Sequence, residues 1–410
     1  MSLHYFVALL SVLLSLVSAA DAAHDAKHGQ TAHHAPPKQH GVISLDIYRD
    51  GAVLHLLTAE SDSKRDTRQL LYRQSTDGGR SWRGPVRVDS AAASIYDLTR
   101  GNDAQIAASG QRLLTAWTAK GSGWQGSGTL ITAISIDGGK TWRAGGNPVD
   151  DAATSGHAYT ELNAATGAFD AVWLDGRDGA QGLRHARSRD GVQWEKNTTV
   201  QSNTCECCWQ SLARRNDDLL VMFRGKDPRD MQLSSLPRGA TGWASRGRVG
   251  RFDWDFKGCP HTGGALAVAA TPGANALHAV VWTGANTAQG LHHMMSLDSG
   301  ATWNATQRLG SQDAQRADIA ISDDGKTLAA VWDQLEGSRR LIYAAYTRDD
   351  GKTWSAPQRL SAIDVDAIYP RVVSVRGGFL ALWTESKVEG TGVVNVLKTV
   401  AFDAQRRTSR

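Results

Sequence analysis

The sequence has few residues of the kinds that define several common protein classes. It contains 4 cysteines, 10 prolines and 5 methionines in 410 residues, which excludes a proline-rich disordered chain and a dense disulfide scaffold. Lys and Arg (45) nearly balance Asp and Glu (41), and no basic block stands out, so nothing indicates nucleic-acid binding. No apolar run reaches the ~20 residues of a membrane helix, which excludes a multi-span membrane protein.

The N-terminal segment has the pattern of an export signal. Residues 6–19 read FVALLSVLLSLVSA, and Ala20-Asp21-Ala22 then offers an Ala-x-Ala cleavage site. We predict a signal peptide over residues 1–22 and an exported protein, periplasmic or extracellular, with no membrane span after cleavage. An uncleaved anchor is the alternative.

Residues 23–40 form a polar, histidine-rich leader that we expect to be disordered, because it has too little apolar surface to bury a core. Neutral imidazoles at this density would bind Cu(II), Ni(II) or Zn(II) loosely. In the alternative interpretation they are simply solvated. The leader histidines are His24, His28, His33, His34 and His40.

A short motif recurs along the rest of the chain. STDGGRSW at 75–82 returns as SIDGGKTW at 135–142, and a decayed copy at 235–243 keeps the serine and tryptophan without the aspartate. The copies are mostly roughly 50 to 60 residues apart, a spacing found in propeller repeats. The motif copies span 75–82, 135–142, 188–194, 235–243, 296–303 and 347–354. The aspartates of the intact copies are Asp77, Asp137, Asp190, Asp298 and Asp349.

Each copy is expected to be a structural turn between two strands. It follows an alternating apolar run, such as 128–134, with the period of a half-buried strand. The Asp carboxylate can accept hydrogen bonds from turn N–H groups, and Gly supplies positive φ. The Trp can insert between neighbouring sheets.

Four strands fit each repeat, for example 104–109, 112–119, 128–136 and a strand after Trp142. This predicts an all-β fold, a six-bladed β-propeller of four-stranded antiparallel blades over residues 41–404. Segments 41–49 and 393–402 would close the ring, and residues 405–410 would be a frayed tail.

The pattern S-x-D-x-G-x-[ST]-W is the Asp-box, and the sequence resembles the sialidase-like (BNR repeat) propeller superfamily over about residues 41–404. The resemblance implies the propeller fold, which does not by itself give an activity. Sialidases hold a substrate carboxylate with three arginines and use a Tyr nucleophile activated by a Glu, with an Asp acid/base.

Only part of that catalytic set has a counterpart. Glu206 and Arg224 resemble the blade-four glutamate and arginine, and Tyr369 resembles the nucleophile of the last blade. No arginine stands in the first-blade segment 41–44, and Gln289 stands where a blade-five arginine is expected. The resemblance therefore implies Glu206, Arg224 and Tyr369 as catalytic residues of an incomplete site.

All four cysteines lie in two segments that lead into inner strands of consecutive predicted blades. We expect them to meet at the mouth, the end of the central channel where loops enter the inner strands. Disulfides are one interpretation, with three pairings open, and a soft-metal site for Cu or Zn is the other. The residues concerned are Cys205, Cys207, Cys208, Cys259 and His261.

Further polar residues in loops at the mouth are candidate ligand contacts. They are Asp97, Arg100, His157, Tyr159, Arg177, Arg229 and Arg371. The leading hypothesis is an exported monomeric propeller that binds a small molecule, a glycan or a metal ion such as copper at this mouth. The alternative is an exo-acting glycoside hydrolase of the sialidase type that uses Tyr369 and Glu206 as its nucleophile pair. A third hypothesis is a scaffold that binds another protein.

Overall fold

The computed structural model describes residues 39–403 except 63–66, 90–94, 96–97, 124–125, 152–155, 166, 270–275 and 390–391. The predicted signal peptide, nearly all of the histidine-rich leader, Asp97 and the predicted tail lie outside the described residues. The described residues contain β-strands and no α-helix, so none of them forms a helix long and apolar enough to cross a membrane.

The strands are grouped into blades in chain order. Blade 1 consists of β1 (Gln39–Asp50), β2 (Val53–Asp62), β3 (Thr67–Ser75) and β4 (Arg83–Arg87). Blade 2 consists of β5 (Gln105–Ser109), β6 (Arg112–Lys120), β7 (Ser127–Ser135) and β8 (Arg143–Ala144). Blade 3 consists of β9 (His157–Ala165), β10 (Ala168–Asp175), β11 (Gly182–Ser188) and β12 (Thr198–Gln201). Blade 4 consists of β13 (Ser211–Arg215), β14 (Asp218–Arg224), β15 (Met231–Leu236) and β16 (Ala244–Val249).

The remaining three blades follow the same order. Blade 5 consists of β17 (Gly264–Val268), β18 (Leu277–Thr283), β19 (Gly290–Ser296) and β20 (Gln307–Leu309). Blade 6 consists of β21 (Ala314–Ile321), β22 (Leu328–Glu336), β23 (Arg339–Thr347) and β24 (Gln358–Arg359). Blade 7 consists of β25 (Asp366–Val375), β26 (Gly378–Glu389) and β27 (Gly392–Phe402).

Each of blades 2 to 6 is a separate four-stranded antiparallel sheet in which consecutive strands pair. Blades 1 and 7 share one seven-stranded sheet with the order β25-β26-β27-β1-β2-β3-β4. The two blades join where 39–41 pair in parallel with 393–395. The predicted pairing between the first and last strands is therefore present.

The innermost strands form a closed ring. Contacts run from β1 through β5, β9, β13, β17, β21 and β25 and back to β1. The prediction of a β-propeller with four-stranded antiparallel blades is confirmed, but the count of six is not. Six motif copies mark six four-stranded blades, whereas blade 7 has three strands and therefore lacks the turn between a third and a fourth strand that carries the motif.

The core lies between the blades as apolar clusters, one at each of the seven interfaces. In six of them the motif tryptophan packs against the preceding blade, as Trp142 of blade 2 does against Tyr72 of blade 1. The interface between blades 6 and 7 contains Phe379 and Phe402 instead. The six motif tryptophans are Trp82, Trp142, Trp194, Trp243, Trp303 and Trp354.

The second motif copy shows how the turn is held. Asp137 accepts hydrogen bonds from Ser135 Oγ (2.8 Å), Thr141 N–H (3.0 Å) and Thr141 Oγ1 (2.6 Å). Gly139 has φ +85°, and a Cβ there would lie 2.1 Å from the Tyr72 ring. Glycine is therefore required both for the backbone conformation and for the close approach to blade 1.

Candidate functional site

A pocket of about 460 Å³, measured with its part open to solvent, lies at the mouth of the channel. Its walls come from blades 2, 3, 6 and 7 and from the loops that lead into blades 2 and 4. The charged and aromatic lining residues are Arg100, Asp103, Tyr159, Glu161, Trp209, Arg316, Tyr369 and Arg371.

Three of the lining residues have a backbone conformation that side chains rarely adopt. Tyr159 (φ +53°), Arg316 (φ +41°) and Tyr369 (φ +51°) are left-handed, near the start of β9, β21 and β25. Each lies at an irregularity in the pairing with the next strand. Such conformations cost of order 1–3 kcal/mol and cluster at functional sites.

Tyr369 is at the centre of the charged part of the pocket. The guanidinium carbons of Arg316 and Arg100 lie 4.7 Å and 5.7 Å from its ring centroid, and Trp209 packs edge-on at 5.8 Å. A Cβ on Gly101 would lie 2.8 Å from the Tyr369 ring, so only glycine leaves room for it there. Burial raises the pKa of Tyr369, which keeps the phenol protonated at neutral pH.

Asp333 fixes the positions of Tyr369 and Arg316. Its carboxylate is fully buried and accepts hydrogen bonds from Arg340 (2.9 Å), Arg316 (3.3 Å) and the Tyr369 N–H (3.1 Å). Burial raises the pKa of Asp333, and the two guanidinium groups oppose that rise. Asp333 therefore couples the backbone of Tyr369 to the side chain of Arg316.

Three guanidinium groups of the pocket carry donors that are not satisfied. Arg100 Nη1, Arg316 Nε and Arg371 Nε are buried and have no hydrogen-bond partner among the described residues. A buried donor without a partner costs about 1–3 kcal/mol. All three arginines line the same pocket. We call Arg100, Arg316 and Arg371 the arginine triad.

Carboxyl groups surround the third arginine. Arg371 donates to Asp46 (2.7 Å), and its Nε lies 3.9 Å from Asp318. Burial raises the pKa of Glu161 well above its ordinary range, and Asp46, Asp318 and Asp103 add to the rise while Arg371 opposes it. The channel therefore favours a neutral, protonated Glu161.

The cysteine segments do meet, as their positions in the sequence predicted. Cys205 Sγ lies 3.2 Å from Cys208 Sγ and 3.8 Å from Cys207 Sγ, and all three thiols are buried. The ligand atoms of Cys207, Cys259 and His261 lie within 4.8 Å of one another. All four cysteines are free thiols. We call these five residues the thiol cluster.

The thiol cluster lies behind one wall of the pocket. Tyr159 lines the pocket and packs against the three buried cysteines. Hydrogen bonds with Cys207 and Cys208 lower the pKa of the Cys205 thiol, whereas burial raises the pKa of Cys208 to about 12. The three thiols therefore titrate as one coupled group.

Two of the three predicted catalytic residues lie outside the pocket. Arg224 is buried, and its guanidinium donates to the main-chain oxygens of Thr262 (2.8 Å), Arg229 (2.5 Å) and Trp282 (2.9 Å). The structure therefore places Arg224 among main-chain oxygens and outside the lining of the pocket. Glu206 forms an ion pair with Lys226 and does not line the pocket that holds Tyr369.

Three predicted ligand contacts also prove to have other neighbours. His157 is buried, with Nδ1 2.9 Å from the Gly128 oxygen and Nε2 3.4 Å from Asp175. Arg177 donates to that same Asp175. Arg229 Nε donates to the Phe256 oxygen (3.0 Å). These side chains stabilise loops, whereas the predicted residues Arg100, Tyr159, Tyr369 and Arg371 line the pocket.

Sequence reasoning missed Arg316 and Trp209. Arg316 is the third residue of β21 and Tyr369 is the fourth residue of β25, so inspecting the starts of the inner strands would have drawn attention to Arg316. Trp209 follows the last cysteine of its segment directly. A Cβ on Gly263 would lie 2.6 Å from its indole ring, so Gly263 allows the close approach of this side chain.

Comparison with known proteins places the fold. No family model matches the chain, and no curated protein matches it significantly. Among solved structures it is similar to Trypanosoma rangeli sialidase, with TM-score 0.51 and 12% identity over 89% of this chain and 55% of that one. It is also similar to a PL25 ulvan lyase bound to -[GlcA(1-4)Rha3S]-, with TM-score 0.56 and 10% identity over 89% of this chain and 94% of that one.

A third similar structure is the endosialidase of phage phi92, with TM-score 0.52 and 10% identity over 90% of this chain and 68% of that one. The chain spans about half the length of the Trypanosoma rangeli sialidase that it matches. At these identities the likeness shows the fold, a sialidase-like β-propeller.

Proposed function

We propose that this sialidase-like β-propeller binds an acidic saccharide at its mouth. The observation that carries the proposal is the convergence of three buried, unpartnered guanidinium donors on one pocket with aromatic walls. A guanidinium group matches a carboxylate or sulfate in charge and geometry. The similar structures bear the names of proteins that act on or bind acidic sugars, which supports this substrate class.

The pocket separates recognition of charge from recognition of the sugar ring. Arg316 and Arg100 flank Tyr369 and would hold the acid group of the ligand, because each carries a donor without a partner among the described residues. Trp209 and Tyr159 supply apolar surface with a polar edge, the combination found in carbohydrate-sized pockets. A protonated Glu161 would donate a hydrogen bond without repelling the ligand.

Titration calorimetry with the purified protein tests the proposal. Sialic acid and a glucuronic-acid disaccharide are compared with neutral sugars of the same size. We expect at least one acidic sugar to bind about tenfold or more tightly than its neutral counterpart, equivalent to about 1.4 kcal/mol.

The matched variants are Arg316→Gln in the pocket and Arg348→Gln on the exposed part of the same blade. Losing a charged hydrogen bond of about 1.5–3 kcal/mol predicts a 10- to 100-fold loss of affinity for the first variant. The second should bind like the unchanged protein. Equal binding of acidic and neutral sugars, or equal behaviour of the two variants, would contradict the proposal.

Cleavage of the bound saccharide is a second candidate function, favoured by the position of the Tyr369 hydroxyl beside Arg316. In this version the protonated Tyr369 phenol donates its proton to the leaving glycosidic oxygen as the anomeric C–O bond breaks, water adds to the anomeric carbon, and the phenolate takes up the proton that this water releases. Fluorogenic sialosides and uronides are the substrates to test. Tyr369→Phe should abolish product formation and retain binding. If no substrate that binds is turned over, the protein is a binding module.

We also propose that the protein works as an exported monomer after removal of residues 1–22. The proposal rests on the apolar run and the Ala-x-Ala site in the sequence. Mass spectrometry of the N-terminus after expression in a bacterial host tests it. A full-length N-terminus in the cytoplasmic fraction would contradict it.

A further inference from the structure

The thiol cluster is not used by the proposed saccharide site. We propose that it binds a thiophilic metal ion, Cu(I) or Zn(II), independently of any saccharide. Thiolates are the ligands that both ions prefer in proteins.

The spacing of the buried sulfurs is that of ligands around one ion. Tetrahedral zinc sites have Zn–S bonds of about 2.3 Å, which places two sulfurs about 3.8 Å apart. Cys205 and Cys207 have this separation (3.8 Å), and Cys205 and Cys208 are slightly closer (3.2 Å). A disulfide requires an S–S distance of about 2.05 Å, which neither pair has. One ion could therefore be bound with small side-chain movements.

A second group of ligands shares one thiol with the first. Cys207 belongs to the buried trio and also to the group with Cys259 and His261. Together the two groups offer five ligand atoms, enough for a three- or four-coordinate site. Cys259 and His261 are exposed, so they provide an entry path from solvent to the buried thiols.

The two segments are held together before any ion binds. The Arg224 guanidinium donates to the Thr262 oxygen (2.8 Å) beside one segment, and the Arg224 main-chain oxygen accepts the Cys205 N–H (3.1 Å) of the other. Gln210 Nε2 donates to the Cys208 oxygen (2.7 Å). His261 is kept in a left-handed conformation (φ +49°). These contacts fix the backbones that carry the ligands, as hydrogen bonds around the ligands do in metal sites.

The test uses the purified, untagged mature chain, reduced and stripped of metal. Cu(I) and Zn(II) are added anaerobically in separate arms, unbound ion is removed on a desalting column, and retained metal is measured by mass spectrometry. The Cys207→Ser variant has the same histidine-rich leader, so weak binding there cancels in the comparison. We expect the unchanged chain to retain at least about one more ion per chain than the variant.

Two further measurements keep the outcome clear if Cys207→Ser folds poorly. X-ray absorption should show sulfur neighbours at about 2.3 Å from the bound ion. Cys259→Ser, whose thiol is exposed, should fold normally and locate the ion. Loss of metal would place the ion in the outer group, and retention would place it in the buried trio.

Two results would overturn the proposal. One is equal metal retention by the unchanged chain and Cys207→Ser with both folded. The other is an isolated protein with Cys205–Cys208 and Cys207–Cys259 disulfides that takes up no extra metal after reduction. Neither measurement involves a saccharide, so failure here is distinct from failure of the proposed saccharide site.

Discussion

The Asp-box turns join the third and fourth strands of their blades at what we call the rim, and the arginine triad lies at the mouth. Both regions depend on charged side chains, but the hydrogen-bond partners of those side chains lie at different distances along the chain. At the rim, Asp137 finds its partners within four residues along the chain. At the mouth, Arg100 and Tyr369 are 269 residues apart and still contact each other. The motif carboxylate thus has its partners within its own turn, whereas the arginine triad retains donors without partners among the described residues.

This difference separates a structural role from a binding role. A carboxylate that already accepts three hydrogen bonds gains little from a ligand. A guanidinium group with a buried free donor gains the full hydrogen bond when an anion arrives. Substitutions at the rim should therefore change stability without changing binding, whereas substitutions in the arginine triad should weaken binding.

The largest expected effect is a loss of stability on substitution of Asp333, whose hydrogen bonds hold residues of the pocket to the blade. Asp333→Ala leaves Arg316 and Arg340 without their buried partner, and breaking such a group costs about 3–5 kcal/mol. Urea unfolding measures the loss. Asp217→Ala is the control, because its pair with Arg238 is exposed and such pairs contribute only about 0–1 kcal/mol. Similar losses in both variants would mean that Asp333 does not anchor the mouth.

Two glycines distinguish packing from backbone conformation at the rim. Gly110→Ala has open space and should cost only the left-handed conformation, about 1–2 kcal/mol. Gly139→Ala would also press a methyl group against Tyr72, which adds about 1–3 kcal/mol. Thermal unfolding should rank Gly139→Ala below Gly110→Ala, with saccharide binding unchanged in both. The reverse order would show that the rim packs differently.

A smaller effect on binding is expected when Arg316 is replaced by a residue that keeps the positive charge but lacks the planar guanidinium group. Arg316→Lys removes the planar donor pair and should weaken binding of the acidic sugar about tenfold. The unfolding midpoint should stay close to that of the unchanged protein. If lysine restores full affinity, charge alone is recognised at this position.

The smallest expected effect is in the pH dependence of stability, which has opposite directions at the rim and at the mouth. Hydrogen bonds with Thr302 and Thr353 lower the pKa of Asp298 and Asp349 to about 2. Their contribution to stability is therefore present above the unfolded value of about 3.9 and is lost as pH falls towards 2.

Glu161 has a raised pKa, so its contribution is present below the unfolded value of about 4.3 and is lost as pH rises through the folded value. Ionisation also places a negative charge beside the ligand, so affinity for an acidic sugar should fall as pH rises. Calorimetry across pH measures this, and Glu161→Gln should flatten that part of the profile. An unchanged profile would assign the dependence to another group.

The sequence predicted the rim well because its chemistry is local. The repeated serine, aspartate, glycine and tryptophan specify a turn within eight residues, and the meeting of the cysteine segments followed from the blade order. The seventh blade has no such motif, so counting turns could not reveal it. The partners of Arg224 are main-chain oxygens of Thr262, Arg229 and Trp282, which no spacing along the chain indicates.

The parallel pairing of 39–41 with 393–395 affects how the chain folds during its synthesis. During synthesis the first strand emerges long before the last, so its edge has no partner until almost the whole chain is available. Late, long-range pairing is slow and leaves an edge open to wrong partners. A truncation that removes β27 should therefore abolish the pairing between the two ends of the chain. It should also leave the edges of β26 and β1 unpaired and open to other strands.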